Sequence, residues 1–190
     1  LDARGQDYLQ RVRAASQKMG EIIDALLALA RLTRAELRRE PVDLTALARA
    51  ALADLQAADP QRQVQVVLAE GLTAQGDPIL LEQALGNVLE NAARYSAADC
   101  PISIRCGRQE DRVLITVEDF GPGVPERELE RIFDKFYRSA PASGISQGTG
   151  LGLSIAKGLL EAMNGSIRAE NRHGGLGLKV SLMIPAPIHA

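Results

Sequence analysis

The chain has 190 residues and a formal net charge of -2, from 22 lysines and arginines and 24 aspartates and glutamates. This balance gives no support to nucleic-acid binding, which requires a basic excess or a basic patch. The longest apolar stretch, residues 22–30, is interrupted by Asp24 and is much shorter than the roughly 20 residues of a membrane-spanning helix. We interpret the chain, which starts at Leu1, as a piece of a longer protein that could carry a membrane anchor elsewhere.

The sequence before Pro41 predicts one long helix over residues 5–40. Its apolar and small side chains recur at alternating steps of three and four residues, which is typical of a coiled coil or a helical bundle. This seam consists of Leu9, Val12, Ser16, Met19, Ile23, Leu26, Ala30, Thr33 and Leu37. We therefore predict a stalk at residues 1–40 that pairs with another helix. The alternative is an amphipathic helix folded onto its own domain.

Residues 41–190 are predicted to form a second domain with alternating helices and strands. The predicted elements in chain order are an extended connector at 41–44, a helix at 45–57, a strand at 63–68, a turn-rich loop at 71–77, a helix at 78–96, strands at 102–106 and 113–117 with a hairpin loop between them, a short helix at 127–133, a helix at 151–163, and strands at 166–171 and 176–184. Either Asp43 or Thr45 is expected to cap the first of these helices, and Asp77 with Pro78 starts the next. The order predicts an α/β two-layer sandwich, in which helices cover a largely antiparallel mixed sheet.

Polar side chains recur along one face of the predicted helix at 78–96. Asn87, Asn91 and Arg94 follow one another at steps of four and three residues, so they share that face. Amide oxygens are suitable ligands for Mg²⁺, and an arginine pairs well with phosphate oxygens. Solvated polar positions explain the same pattern about as well.

Two glycine-rich segments follow predicted strands or precede predicted helices. The first, 119–125, places Asp119 at the end of a strand, where it could accept a hydrogen bond from the amino group of a base or could only stabilise the turn. The second, 148–154, opens a helix, and free amide groups at a helix N-terminus suit phosphates. The second segment is neither a P-loop nor a dinucleotide fingerprint, because its spacing is GxGxG and no Gly-Lys-Ser/Thr occurs.

In this order and spacing, the segments resemble the catalytic domains of sensor histidine kinases, in the superfamily shared with gyrase, the heat-shock chaperone ATPase and mismatch-repair ATPases. The resemblance covers essentially the whole chain. Segment 87–96 resembles the family's asparagine box, 119–125 its first glycine box, 132–138 its phenylalanine box and 148–157 its second glycine box. The predicted helix at 5–40 resembles the second helix of the family's dimerisation and phosphotransfer hairpin.

The resemblance implies that the domain binds ATP and Mg²⁺. It implies that Asn91 coordinates Mg²⁺ with Asn87 close to the metal, that Arg94 contacts phosphate, that Tyr95 lies along the adenine ring and that Asp119 binds the adenine amino group. The remaining implied nucleotide contacts are Gly121 and Gly123 at the base, Arg138 at the terminal phosphates, and the phosphate loop of Gly148, Thr149, Gly150, Leu151 and Gly152. Residues 138–147 would form a lid, with Phe133 and Phe136 anchoring it by packing.

Three features depart from the family pattern. Phe120 replaces the usual asparagine, and Arg94 replaces a lysine, which keeps the charge but changes its shape. The phosphoacceptor histidine is missing, since His173 and His189 both lie outside the required helical context. We therefore expect that the chain binds nucleotide but does not phosphorylate itself.

The resemblance implies a kinase domain that passes the γ-phosphoryl group of ATP to a histidine absent from this chain. The implied partners are a response regulator receiver domain, the phosphoacceptor helix of the parent or partner chain, and a second copy bound through the stalk helix. A cytoplasmic location is expected, with Cys100 and Cys106 as free thiols. Two alternatives are an ATP hydrolase, which needs a carboxylate near the position of Asn87, and a regulatory module whose nucleotide site Phe120 has impaired.

Overall fold

The computed structural model describes residues 5, 6, 8, 9, 11–13, 15, 16, 19, 20, 23, 37–97, 99–139, 149–172 and 176–186. Every described residue before position 24 is helical, as the heptad pattern predicts for that part of the stalk. Leu9, Val12 and Met19 of the predicted seam are more than half exposed there. Residues 24–36 lie outside the described part, so the length of the stalk helix and its boundary with the second domain remain predictions.

The predicted helix does not continue to residue 40. Residues 37–39 are not helical, and Glu40–Asp43 forms strand β1, which pairs antiparallel with strand β3, Thr73–Gly76. The interpretation of residues 71–77 as a loop is therefore wrong as well. Pro41 disfavours helical geometry in the residue before it, and pairing with β3 then satisfies the backbone in an extended conformation.

The main sheet has five strands in the spatial order β2-β4-β5-β7-β6. The strands are β2 Val64–Leu68, β4 Ile102–Gln109, β5 Arg112–Glu118, β6 Ser166–Asn171 and β7 Leu178–Pro185. Only the pair of β2 and β4 is parallel, and the other three pairs in this sheet are antiparallel. The prediction of a largely antiparallel mixed sheet is confirmed.

Three helices pack on the sheet: α1 Leu44–Ala58, α2 Pro78–Tyr95 and α3 Gly152–Ala162. Asp77 caps α2 by accepting hydrogen bonds from the amides of Ile79 at 3.0 Å and Leu80 at 3.3 Å, as its sequence predicts. Asp43 rather than Thr45 caps α1, because the Thr45 hydroxyl donates to the Ala69 carbonyl. Two short 3-10 turns, Glu126–Glu128 and Arg131–Phe133, replace the short helix predicted at 127–133.

The core lies between the sheet and the helices. Side chains at every second position of β4, β5 and β7 are buried, and they belong to one apolar cluster with the inner faces of α1, α2 and α3. The fully buried members include Leu81, Leu85, Ile104, Ile115, Leu159 and Leu182. Because α2 and α3 both lie on this layer, their ends are fixed relative to the strand ends that meet them.

Both cysteines are free thiols, as predicted. Cys106 is part of the core, and burial raises the pKa of its thiol to about 11. The thiol therefore stays protonated and unreactive near neutral pH. No helix among the described residues has the length and apolar character that crossing a bilayer requires.

A pair of isoleucine substitutions tests the location of the core. Ile104 is fully buried in β4, whereas Ile79 in the first turn of α2 is 61% exposed. We expect Ile104→Ala to lower the free energy of unfolding by about 2–5 kcal/mol, because it removes buried methylene groups and leaves a cavity. Ile79→Ala should change it by less than about 0.5 kcal/mol. Urea denaturation measures both, and equal losses would contradict this assignment of the core.

Candidate functional site

One cleft lies where the C-terminal half of α2 meets the turn after β5, the start of β7 and the segments on either side of residues 140–148. It is lined by Asn91, Tyr95, Asp119, Pro122, Gly123, Val124, Ile132, Tyr137, Arg138, Ser139, Gly150, Leu153 and Leu178. All three motif regions named from the sequence therefore contribute to its wall. The apolar residues Val124, Ile132, Leu153 and Leu178 were not predicted, because in the sequence they only continue the apolar pattern of their elements.

Asp119 is the buried polar residue of this cleft, with 4% of its surface exposed. Its Oδ1 accepts hydrogen bonds from the backbone amides of Gly121 at 2.8 Å and Leu178 at 3.1 Å. Its own backbone amide donates to the Leu178 carbonyl at 2.9 Å. Within the described part of the chain, Oδ2 has no hydrogen-bond partner, so this oxygen is available to a ligand in the cleft.

Burial raises the pKa of Asp119 above its ordinary value of 3.8. The hydrogen bonds from Gly121 and Leu178 and the charge of Arg172 act in the opposite direction but do not cancel the effect of burial. The ionised carboxylate therefore carries an uncompensated desolvation cost. A hydrogen-bond donor that binds in the cleft reduces that cost.

Phe120, which departs from the family pattern, packs against Arg172 and does not line the cleft. Its ring lies under the guanidinium of Arg172, at 3.7 Å from the ring centroid, and Arg172 also approaches Glu118 with its Nε at 3.4 Å. The Phe120 amide donates to Ser96 Oγ at 3.3 Å. The ring is not among the residues that line the cleft, so it does not occupy the space of a ligand.

The turn after β5 is held by contacts of Gly121, which the sequence pattern includes, and of Asn171, which it does not. Gly121 is required because a Cβ there would lie 2.6 Å from the Tyr95 carbonyl oxygen. Asn171, at the end of β6, accepts from the Val124 amide at 2.9 Å and donates to the Val124 carbonyl at 2.7 Å. Sequence reasoning missed Asn171, since one amide at a strand end carries no pattern.

The asparagines of α2 face the start of α3. The Asn87 side-chain amide donates to the Gln83 carbonyl at 2.8 Å, and its Oδ1 lies 3.2 Å from where a Cβ on Gly152 would be. Asn91, one turn later, lines the cleft. Neither Asn87 nor the exposed Arg94 belongs to the lining, so of these three residues α2 brings only Asn91 to the cleft.

The described residues contain no cluster of three or more histidine, cysteine or carboxylate groups that could hold a metal. A metal ion at this cleft would therefore depend on amide oxygens, water and the oxygens of its ligand. Mg²⁺ typically binds in this way, since it keeps several waters and takes few ligands from the protein. Asn91, which lines the cleft, fits such a site, and Asn87 lies one helical turn before it.

The segment before residue 140 is fixed to α3 through its backbone. Phe136 donates its amide to the Gly150 carbonyl at 3.0 Å, and both residues have a positive φ, 65° and 70°. Phe133 is buried, but Phe136 is 66% exposed. The prediction that both rings anchor the lid by packing is therefore wrong for Phe136, whose left-handed backbone turns the ring outward while its amide makes the contact.

Glu128 holds the residues on either side of Arg138. Ser139 Oγ donates to Glu128 Oε2 at 2.6 Å, and the Tyr137 hydroxyl also hydrogen-bonds to this carboxylate. These two bonds hold the pKa of Glu128 below its ordinary value. The guanidinium of Arg131 lies 4.4 Å from the centroid of the Tyr137 ring. Arg138 lines the cleft between these two anchored neighbours, and neither Glu128 nor Arg131 was predicted.

The remaining predicted residues divide into two groups. Thr149 Oγ1 accepts from the Leu151 amide at 3.3 Å, and Leu151 is buried directly before α3, so both lie beside the lining residue Gly150. Gly148, most of the predicted lid, His173 and His189 lie outside the described residues.

The raised pKa of Asp119 predicts a pH-dependent stability difference. In Asp119→Asn, the amide oxygen can still accept from Gly121 and Leu178, but no charge is buried. We expect the variant to be more stable than the unmodified chain at pH 7, because the folded-state pKa of Asp119 is raised and its ionisation opposes folding.

The advantage of Asp119→Asn should shrink as pH falls through the raised pKa towards 3.8, where the carboxyl is protonated in both the folded and unfolded states. Urea unfolding of both proteins at a series of pH values measures this difference. A difference that does not change with pH would contradict it.

Gly150 and Gly86 are predicted to respond in opposite ways to substitution by alanine. A Cβ on Gly150 would lie 2.8 Å from the Tyr137 carbonyl oxygen at a φ of +70°, whereas a Cβ on Gly86 inside α2 would meet nothing within 4 Å. We expect Gly150→Ala to destabilise the fold by about 1–3 kcal/mol. Gly86→Ala should stabilise it by about 0.5–1 kcal/mol, since glycine inside a helix is costly. Urea unfolding measures both, and the same sign for both variants would contradict the assignment.

Comparison with known proteins identifies the family to which the chain belongs. Residues 76–188, more than half of the chain, match the model of the histidine kinase-, DNA gyrase B- and HSP90-like ATPases. The chain is 45% identical over 114 residues to the sensor protein KdpD of Mycobacterium tuberculosis, covering 60% of this chain and 13% of KdpD. It is 33% identical over 186 residues to the sensor protein kinase PmrB of Pseudomonas aeruginosa, covering 96% of this chain and 38% of PmrB. The chain thus spans only a minor part of these relatives.

The fold also matches a solved structure of full-length ShkA in complex with AMPPNP. The TM-score is 0.76 at 26% sequence identity, and the match covers 100% of this chain and 40% of ShkA. The family match includes α2, the turn after β5 and α3, which form the cleft. The chain therefore belongs to the family of histidine kinase-, DNA gyrase B- and HSP90-like ATPases, and its relatives include sensor proteins and the sensor histidine kinase GtrS of Pseudomonas aeruginosa, to which it is 38% identical over 65% of this chain and 24% of GtrS.

Proposed function

We propose that the cleft binds Mg²⁺–ATP and that the chain is the catalytic domain of a sensor histidine kinase, which transfers the γ-phosphoryl group to a histidine outside this chain. The observation that carries the proposal is the buried Asp119 carboxylate, with one oxygen held by backbone amides and the other free to accept from a ligand. The sensor kinases among its relatives support this function.

The base end of the nucleotide would bind at Asp119 and Tyr95. An adenine carries an amino group, which can donate to Asp119 Oδ2 in a site with little competing water. The Tyr95 side chain and the apolar Leu178 and Val124 line the same space and suit the faces of a flat ring. Gly123 lines the cleft and would allow the backbone to come close to the base, whereas Gly121 leaves room for the Tyr95 carbonyl beside that site.

The phosphate end would lie between α2 and the N-terminus of α3. The free amides at the first turn of α3, preceded by Thr149 and Gly150, suit phosphate oxygens, and Gly148 belongs to the same proposed loop. Asn91 and Asn87 would provide amide oxygens for Mg²⁺, which neutralises phosphate charge when bound. Arg138 would contact the terminal phosphates. The proposed phosphate contact of Arg94 has no support from its exposed position.

Phosphoryl transfer to a histidine requires mainly the positioning of phosphate and acceptor. An ATP hydrolase needs a carboxylate to activate water near Asn87, and an amide cannot act as that base. Glu90, the nearest acidic residue in the sequence, is exposed and does not line the cleft. The hydrolase alternative is therefore disfavoured. The alternative of a regulatory module with an impaired nucleotide site rested on Phe120. It is disfavoured too, because the Phe120 ring packs under Arg172.

The partners follow from this function. We propose that a response regulator receiver domain accepts the phosphoryl group, that the phosphoacceptor helix comes from the parent or partner chain, and that the stalk forms a homodimer. The exposed Leu9, Val12 and Met19 support pairing of the stalk. A cytoplasmic site of action is supported by the two free cysteines.

Calorimetric titration of ADP and of a non-hydrolysable ATP analogue, each with and without Mg²⁺, tests the site. We expect Mg²⁺-assisted binding by the unmodified chain. Asp119→Ala should weaken it by about 3 kcal/mol, roughly a hundredfold in Kd, because a charge-assisted hydrogen bond in a buried site is lost.

The matched control is Asp54→Ala on the exposed side of α1, which removes the same charge away from the cleft and should leave Kd unchanged. Nucleotide binding that is absent in the unmodified chain, or equal in Asp119→Ala, would contradict the proposal.

A further inference from the structure

Arg62 lies in the turn between α1 and β2, outside every segment that resembles a family motif. Its side chain is only 7% exposed. The guanidinium makes an ion pair with Asp59, Nε to Oδ2, at 3.0 Å. It also donates to three backbone carbonyls, those of Ala93 at 3.1 Å, Ser96 at 3.3 Å and Ala97 at 2.7 Å. The buried Arg62 side chain thus binds the nearby Asp59 carboxylate. It also binds three carbonyl oxygens that lie more than 30 residues away in sequence.

The three carbonyls lie at the C-terminal end of α2 or directly after it: Ala93 is in the last turn, Ser96 is the C-cap residue and Ala97 follows it. The last carbonyls of a helix have no partner within the helix and carry the negative end of its dipole. α2 has no glycine at its end, and its C-cap residue Ser96 has an extended backbone. Arg62 therefore provides the cap from a separate element. The planar guanidinium can reach several acceptors at once, which a lysine ammonium cannot do with the same geometry.

The capped end of α2 is connected directly to the turn that carries Asp119. Ser96 is buried, and its Oγ accepts the hydrogen bond from the Phe120 amide at 3.3 Å. The carbonyl of Tyr95 lies so close to Gly121 that a side chain there would collide with it. Tyr95 and Asp119, the two proposed contacts of the base, therefore lie next to backbone that Arg62 holds in place.

We propose that Arg62 is a positioning residue for nucleotide binding. It fixes the end of α2 and, through Ser96, the turn that presents Asp119 to the base. The inference rests on the proposed function of the cleft. It adds a determinant of base affinity that touches no nucleotide and belongs to none of the motifs.

The test separates positioning from general stability. ADP affinity is measured by calorimetry, well below the thermal midpoint, for the unmodified chain, Arg62→Met and Arg62→Lys. Arg62→Met should raise Kd roughly tenfold, the size expected when a supporting hydrogen-bond partner of a site is removed. Arg62→Lys keeps the charge but not the planar group with several N–H donors, and its Kd should lie between those of the other two proteins.

Two control variants match these changes away from the cleft. Arg49→Met removes a cation from an exposed ion pair with Glu70. Thr45→Val lowers stability by removing a buried hydroxyl that bonds to Ala69 and Leu72. Both controls should leave Kd unchanged. In NMR spectra without nucleotide, the amide signals of Phe120 and Gly121 should shift in Arg62→Met but not in Thr45→Val.

Ser96→Ala provides a second, independent variant if Arg62→Met does not fold. It keeps the arginine cap but removes the acceptor of the Phe120 amide, so its Kd for ADP should also rise. An unchanged Kd in Ser96→Ala and Arg62→Lys would overturn the role of Arg62, as would a rise in Thr45→Val equal to that in Arg62→Met. Failure of the unmodified chain to bind ADP at all would instead overturn the proposed function of the cleft.

Discussion

The cleft depends on a single carboxylate oxygen, Asp119 Oδ1, which accepts two backbone hydrogen bonds. One donor, Gly121, belongs to the turn after β5, and the other, Leu178, is the first residue of β7. The same atom therefore closes the turn and fixes it to the neighbouring strand. Burying this group is costly, as its raised pKa shows, and the two amides recover only part of the cost. The second oxygen, Oδ2, is left to a ligand. Ligand binding can therefore reduce the desolvation cost of the buried carboxylate.

The residues that touch the cleft are held by others that do not resemble any motif. Asn171 holds the backbone at Val124, Glu128 holds the neighbours of Arg138, and Arg62 holds the end of α2. Each of these polar side chains binds backbone or a side chain from another element. In this chain the motif residues line the proposed nucleotide site, while residues scattered elsewhere in the sequence hold them in position.

Most of the fold could be predicted because its elements carry strong periodic patterns. The apolar residues of α2 and α3 recur at helical spacing, and β5 and β7 alternate, so their positions were predicted to within a few residues. Residues 41–44 were predicted to be extended, but β3 and its pairing with β1 were missed, since strands of four residues are too short to show a period. Phe136 was misjudged because its positive φ arises from its contact with Gly150, which the local sequence does not reveal.

The sequence by itself determined the class of fold, the resemblance to the family and the polar candidates for the site, because helix and strand periods and the spacing of Asn87, Asn91, Asp119 and the glycines are local properties of the chain. Only the tertiary structure decided which of these residues meet. It brought Asn91, Asp119, Arg138 and Gly150 to one cleft, left Arg94 exposed and turned Phe120 under Arg172. It also joined Arg62 to the end of α2. These outcomes depend on contacts between residues distant in sequence, and such contacts leave no period or spacing that the chain alone could show.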